Sequence, residues 1–503
     1  MRNKKKSVFI IVFVLLVIIA LVCLFIFLFS GNKDSQNKNI HTNSVYRISG
    51  NNLESFDFYF LQLENERENK VYSPLSIKYA LGMLAEGADE ETKEQIISVI
   101  GDYAAKKYIN SSNMSFANGL FVKDSYKSTV KATYADLLSS KYNADVIYDS
   151  FDSANTLNSW VSDKTFNLVN NVYDDISDFE FILVNALAID MEWVQQIQNP
   201  TRSYYVGFDH EEYGKYVSSL SSDGYHRLEF DDDKTDVEAV EIGAVVNKYD
   251  IVNELGEENI RKTVTDAYNE WIIENPYDKI DDFDAYLDQY LEDIDENYGH
   301  VSSSTDFYFY TDDNVKVFAK DLKEYNGTTL QYVGIMPTNE SLDSYIKNIK
   351  VSDVHTLINS LKSISLDNFK DGVITEISGY VPMFHFDYEL DLMADLKELG
   401  ITDVFDSNKA NLSNLTTEQA YINDAKHKAT IEFSNDGIKA AAVTIAGGEG
   451  GASGGFEYLY EVPVEHIDLT FDSPYLFLIR DVDTGEVWFT GTVYEPTEYV
   501  PYY

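Results

Sequence analysis

A chain of 503 residues, 44% apolar and 14% aromatic, carries ample material for a large core, and these proportions exclude a disordered chain. The formal net charge of −45 argues against nucleic acid as a partner, because phosphates are repelled, and reads first as a solvated acidic surface. The single cysteine, Cys23, excludes an internal disulfide and a cysteine-based zinc site, so the fold must hold by packing.

In chain order, residues 1–6 form a short basic tail. An uncharged run from Val8 to Phe29 follows. As a helix it is about 30 Å long, the thickness of a bilayer core. No small-residue cleavage site follows it, so residues 7–30 read as an uncleaved single-pass anchor, with a cleaved signal as the alternative. The basic tail places residues 1–6 in the cytoplasm and the rest outside the cell. Residues 31–44 are polar and aperiodic, a flexible tether, and structure is expected from about residue 45.

Apolar spacing predicts helices over Phe56–Leu63, Ser76–Ala85 and Asp89–Ile100, the second started by Ser73-Pro74. Strands are predicted at Ser115–Val122 and Ala144–Ile147, and a helix at Leu157–Val169. The apolar run Phe181–Ile189 reads as a central strand covered on both faces. Residues 231–304 are dense in Asp, Glu and Tyr and read as a largely helical acidic insertion with little core of its own. Its Asp clusters lack the spacing of a calcium loop, so no metal site is assigned. Strands resume at Asp306–Tyr310, Asn314–Phe318 and Thr329–Met336. Helices follow at Leu342–Ile349 and Val354–Leu361, then strands at Val373–Ile377 and Met383–Phe386. A helix over Leu390–Leu399 is ended by Gly400. A strand at Ala429–Phe433 leads into a Gly-rich loop at 435–463. Two closing strands, Tyr475–Ile479 and Val487–Val493, join through a turn at Asp483-Thr484-Gly485. No strand–helix alternation dominates, which is the pattern of an α+β domain.

Several fragments resemble the serpin family. Asn69 with Ser73-Pro74-Leu75-Ser76-Ile77 is similar to its N-terminal motif, and Ala117-Asn118-Gly119-Leu120-Phe121 to an early strand. Asn158, Trp160-Val161 and Thr165 are similar to a family helix. Leu183-Val184-Asn185-Ala186 with Trp193 is similar to a central strand. His427-Lys428-Ala429 precedes Gly437 at the family spacing, and Ser473-Pro474 to Ile479 with Gly491 to Pro496 resemble the closing strands. The resemblance spans about Leu53 to Pro496, interrupted by the acidic insertion. It implies three β-sheets, a helical layer and an exposed reactive-centre loop. It also implies a protease inhibitor with no catalytic residue of its own, which the expected anchor places outside the cell. A serine protease, or a cysteine protease, attacks the loop and is trapped as an acyl-enzyme when the loop inserts into the main sheet.

In that frame the hinge comprises Gly437, Ile438, Ala440, Ala441, Ala442, Val443 and Thr444. Gly437 is the pivot, because glycine changes backbone region cheaply. On insertion Ile438, Ala440, Ala442 and Thr444 enter the core, and none is charged. Counting along the loop as the family does puts the reactive bond between Gly451 and Ala452, suited to an elastase- or subtilisin-like pocket. The loop is longer than the resemblance implies, so Tyr458 or Leu459 is an alternative bait for a chymotrypsin-like enzyme. Ser73, Ser76, Asn158, Asn185 and His427 lie where the family controls sheet opening. His427 reads as a buried hydrogen-bonding histidine rather than a catalytic base, since no nucleophile is implied near it. No nucleophile–base motif marks an enzyme, and no cofactor is implied. The competing reading is a non-inhibitory, serpin-like binding module whose acidic insertion carries recognition.

Overall fold

Ser73 stands in extended conformation and accepts the Ser76 amide on its side chain, so the first long buried helix begins at Pro74 and runs to Gly87. Asp89 stands at the start of the next helix, Glu90–Ile100, where its side chain accepts the Glu90 amide. The computed structural model describes residues 53–64, 66–101, 107–197, 226–231, 235–296, 298–438 and 462–498, with 456, 458 and 460. The expected tail, anchor and tether lie outside these residues. Among the described residues no helix is long and apolar enough to cross a membrane.

Among the described residues the strands form four sheets, where three are expected. A seven-stranded sheet holds the closing hairpin, Tyr475–Asp481 and Val487–Val493, with Leu330–Pro337 and Val315–Asp321 beside it. Both strands of the hairpin are buried at every position. A five-stranded sheet is built on Ile374–Pro382 and Thr235–Asn247. The remaining two sheets stand as halves of one main sheet, the sheet that the resemblance expects the loop to enter. One half has three strands, with Met114–Lys123 between Ala144–Asp149 and Phe181–Ile189. The other has four, from Phe384–Asp391 through Lys426–Phe433 and Gly437–Ile438 to Met191–Glu192.

Four other expectations are corrected. The helix predicted to Val169 is Asn155–Lys164, because Phe166 and Asn167 take left-handed backbone, with φ of 54° and 62°. Phe181–Ile189 is a strand, but Leu183, Val184, Asn185 and Leu187 are only half-buried, because among the described residues just one of its edges is paired. The acidic insertion is narrower than residues 231–304, since Thr235–Asn247 is a full strand of the five-stranded sheet. It also has a core: Ile260 and Val264 of the Glu257–Glu274 helix pack with Leu287 and Leu291 of the Phe283–Glu296 helix. That is the i, i+4 pairing of two facing apolar stripes.

Candidate functional site

Between the two half-sheets runs a slot. Phe181–Ile189 pairs on one edge with Met114–Lys123, and Lys426–Phe433 pairs on one edge with Phe384–Asp391. Among the described residues no backbone pairing joins their facing edges. A cavity of about 230 Å³ fills the gap, lined by both strands, by Ser73, Ser76 and Val161, and at one end by Ile438.

At that end the gap is bridged. Ile438 pairs antiparallel with Phe433 on one side and with Met191 on the other. Met191 continues Phe181–Ile189 past Asp190, so the two flanking strands are parallel to each other, and a segment continuing from Ile438 would be antiparallel to both. Ile438 is 3% exposed. Its inward direction is the one that the alternation of the hinge predicts. Gly437 is required here for a reason other than backbone freedom. Its φ is not positive, but a Cβ would fall 2.2 Å from the Met191 carbonyl oxygen and 2.7 Å from the Glu192 Cα. The glycine is what lets the bridge approach its neighbour. Ala440, Ala441, Ala442, Val443 and Thr444, and the expected reactive bond Gly451–Ala452 with Leu459, lie outside the described residues.

The turn leading to the bridge is pinned. The fully buried Trp193 donates its indole N–H to the Ser434 carbonyl at 2.9 Å, and its backbone N–H to Asp436 at 3.0 Å. The Ile197 N–H donates to the Asn435 carbonyl at 3.0 Å. The Trp193 ring meets Phe433 edge-on at 5.6 Å. Sequence reading noted Trp193 only as part of a motif. Its role as a pin depends on a partner more than two hundred positions away, which no local pattern shows.

Deeper in the slot, a polar chain crosses the strand edge. The Ser76 hydroxyl donates to Asn185 Oδ1, and Asn185 Nδ2 donates to Asn118 Oδ1 at 2.7 Å. Asn118 Nδ2 donates to the Tyr142 carbonyl at 2.8 Å. Across the gap, the Ser73 N–H donates to His427 Nε2 at 2.9 Å. An accepting Nε2 must be unprotonated, and burial lowers the His427 pKa to about 4, which keeps it so. Ser73, Ser76, Asn185 and His427 thus come together around the slot. Asn158 does not join them. Its amide holds the segment after its own helix, donating to Asn171 Oδ1 and the Tyr173 carbonyl and accepting from the Val172 N–H. Val172 and Tyr173 line the slot, so Asn158 acts on its wall at second hand.

Among the described residues the arrangement holds no assembled nucleophile and base, and past Gly437–Ile438 none of them pairs with the two facing edges.

Comparison with known proteins agrees with this reading. The profile of the family described as "Serpin (serine protease inhibitor)" matches residues 51–243 and 300–496. An uncharacterised serpin-like protein of Methanosarcina acetivorans is 24% identical, over 89% of this chain and 86% of its own. Human neuroserpin is 23% identical, over 87% and 88%. The native crystal structure of tengpin, a thermophilic serpin, superposes with a TM-score of 0.57 at 22% identity, covering 89% of this chain and 96% of that one. The family match stops at Gly243, within the Thr235–Asn247 strand, and resumes at His300, so the two insertion helices lie outside the matched residues. A main sheet opened along its middle, a bridge that begins the missing strand and a match over both flanks of the insertion lead to one conclusion: the chain belongs to the serpin family.

Proposed function

We propose that the chain inhibits a serine endopeptidase by offering its loop as substrate and trapping the acyl-enzyme as the loop inserts. The observation that carries this is the slot, with two parallel strand edges bridged at one end by Gly437–Ile438 and, among the described residues, not paired beyond it. Unmade backbone pairing on two edges is a store of free energy that an added strand releases. Ile438 already occupies the first inward position, and by alternation the small, uncharged Ala440, Ala442 and Thr444 come next. Gly451–Ala452 as the reactive bond fits an elastase- or subtilisin-like pocket. The uncharged run Val8–Phe29 supports an anchor that presents the inhibitor outside the cell.

The test is incubation with elastase and with subtilisin, followed by denaturing electrophoresis and sequencing of the released C-terminal fragment. An SDS-resistant complex and a fragment beginning at Ala452 are expected. Cleavage within the loop should also raise the melting temperature sharply. Complete turnover of the loop with no complex and no rise in melting temperature overturns the inhibitor reading and leaves the binding module. Membrane fractionation of the full chain beside a chain lacking residues 1–30 tests the anchor, and recovery of both in the soluble fraction removes it.

A further inference from the structure

The helical insertion holds the far limb of the loop. Phe456 sits in a box made by both insertion helices. Its ring centre lies 5.1 Å from Tyr268 and 5.5 Å from Trp271 on the first helix, and 5.9 Å from Tyr286 on the second. The Tyr286 hydroxyl donates to the Phe456 carbonyl at 3.3 Å, and the Tyr290 hydroxyl to the Tyr458 carbonyl at 2.9 Å. Tyr460 returns a hydrogen bond to the Ile260 carbonyl at 3.3 Å.

The spacing of these contacts is a register match. Tyr286 and Tyr290 stand four apart on one helix face, about 6 Å along the axis. Alternate residues of an extended segment repeat at about 6.6 Å. One tyrosine therefore meets each second carbonyl of the limb, and the rings of Phe456, Tyr458 and Tyr460 all pack on the same small core. The two helices are tied across this face, since Arg261 contacts Glu257 at 2.9 Å on its own helix and Asp288 at 2.6 Å on the other.

We propose that the insertion is a clamp on the limb at 456–460, and that it sets the downstream limit of the stretch a protease can cut. A serine protease takes its substrate as an extended strand and needs the backbone groups beside the cut. At Phe456 and Tyr458 those carbonyls accept tyrosine hydroxyls, and the Phe456 side chain is boxed. Tyr458 then cannot serve as bait, although its side chain suits a chymotrypsin-like pocket, and the usable bonds lie upstream of Phe456. This inference rests on the reading of the loop as a protease substrate, but not on trapping.

The experiment maps chymotrypsin cuts in the full chain, in the Tyr286→Phe/Tyr290→Phe double variant, and in a free peptide spanning residues 453–464. The free peptide should be cut readily after Phe456 and Tyr458, and the intact chain should resist at both. Removing two neutral hydrogen bonds should raise the open population, and so the cutting rate there, about thirtyfold. Subtilisin cutting upstream should keep its rate. Far-ultraviolet circular dichroism establishes that the variant retains its helices. If the wild-type chain is cut after Tyr458 as fast as the free peptide, the clamp is wrong, whether or not the variant folds. If the variant folds and cuts like the wild type, the tyrosine contacts do not form the clamp. Failure of the inhibitor reading shows instead as absence of an SDS-resistant complex, with the cut positions unchanged.

Discussion

The closing hairpin and the slot strand Phe181–Ile189 are alike in composition and opposite in state. Tyr475–Asp481 and Val487–Val493 are each paired on both edges and buried throughout. Phe181–Ile189 is as apolar, yet is paired on one edge and half-open at its centre. What separates them is backbone pairing, not hydrophobicity. One region is finished, and it anchors the molecule. The other is left incomplete at the place where an added strand would complete it.

Substitutions should divide along this line. The largest effect belongs to the finished side. Trp488 is fully buried on the Val487–Val493 strand, with its ring 4.6 Å from that of Tyr108. Trp488→Ala should cost about 3–5 kcal/mol in urea unfolding, as for other large core truncations. On the slot side, Asn185→Ala removes the middle of the Ser76–Asn185–Asn118 chain and should cost about 1–3 kcal/mol. Its distinguishing result is faster conversion to a loop-inserted form on warm incubation, read on a native gel. Conversion at the wild-type rate would show that this chain does not hold the slot.

The pH response should come from the slot as well. Above pH 6.5 His427 is neutral in folded and unfolded chains alike. Below that the unfolded chain takes a proton which the folded chain refuses until about pH 4. Stability is therefore lost as pH falls from 6.5 towards 4. Asp395 works in the opposite sense. Burial, with Glu64 and Asp391 nearby, raises its pKa to about 7, so its contribution is lost as pH rises from 3.8 to 7. Melting curves across this range for His427→Gln and the wild type isolate the histidine. Equal slopes would remove it as the source. The smallest change is expected from Leu183→Ala, at about 1 kcal/mol or less, because the side chain faces the slot half-buried. A loss as large as that at Trp488 would erase the contrast between the regions.

The sequence made the elements legible where local pattern decides them. The apolar run at Phe181–Ile189 announces a strand, and Ser73-Pro74 announces a helix start. Side-chain periodicity reports which faces are covered but says nothing about which edges are paired, so the split of the main sheet was not visible. The overshoot to Val169 has a similar cause: apolar spacing continues past the helix, while the left-handed turn at Phe166 and Asn167 carries no glycine to mark it. Within the insertion, Ile260 with Val264 and Leu287 with Leu291 stand at helical spacing, a signal that the acidic composition hid. The sequence offers Tyr458 only as bait, because its docking surface lies far away along the chain and only the folded chain brings the two together.

The clamp also bears on chain entropy. Pinned at Ile438 and at Phe456, the intervening stretch is residues 439–455 rather than 439–461. Closure entropy grows only with the logarithm of length, so this shortening changes it by a few tenths of a kcal/mol. A family member can thus carry a long loop and, by adding two helices, present a shorter one at almost no change in closure entropy, the cost being the ordering of the few clamped residues. Loop length in sequence and loop length in action then become separate quantities, and the second is set by a part of the molecule that lies outside the family match.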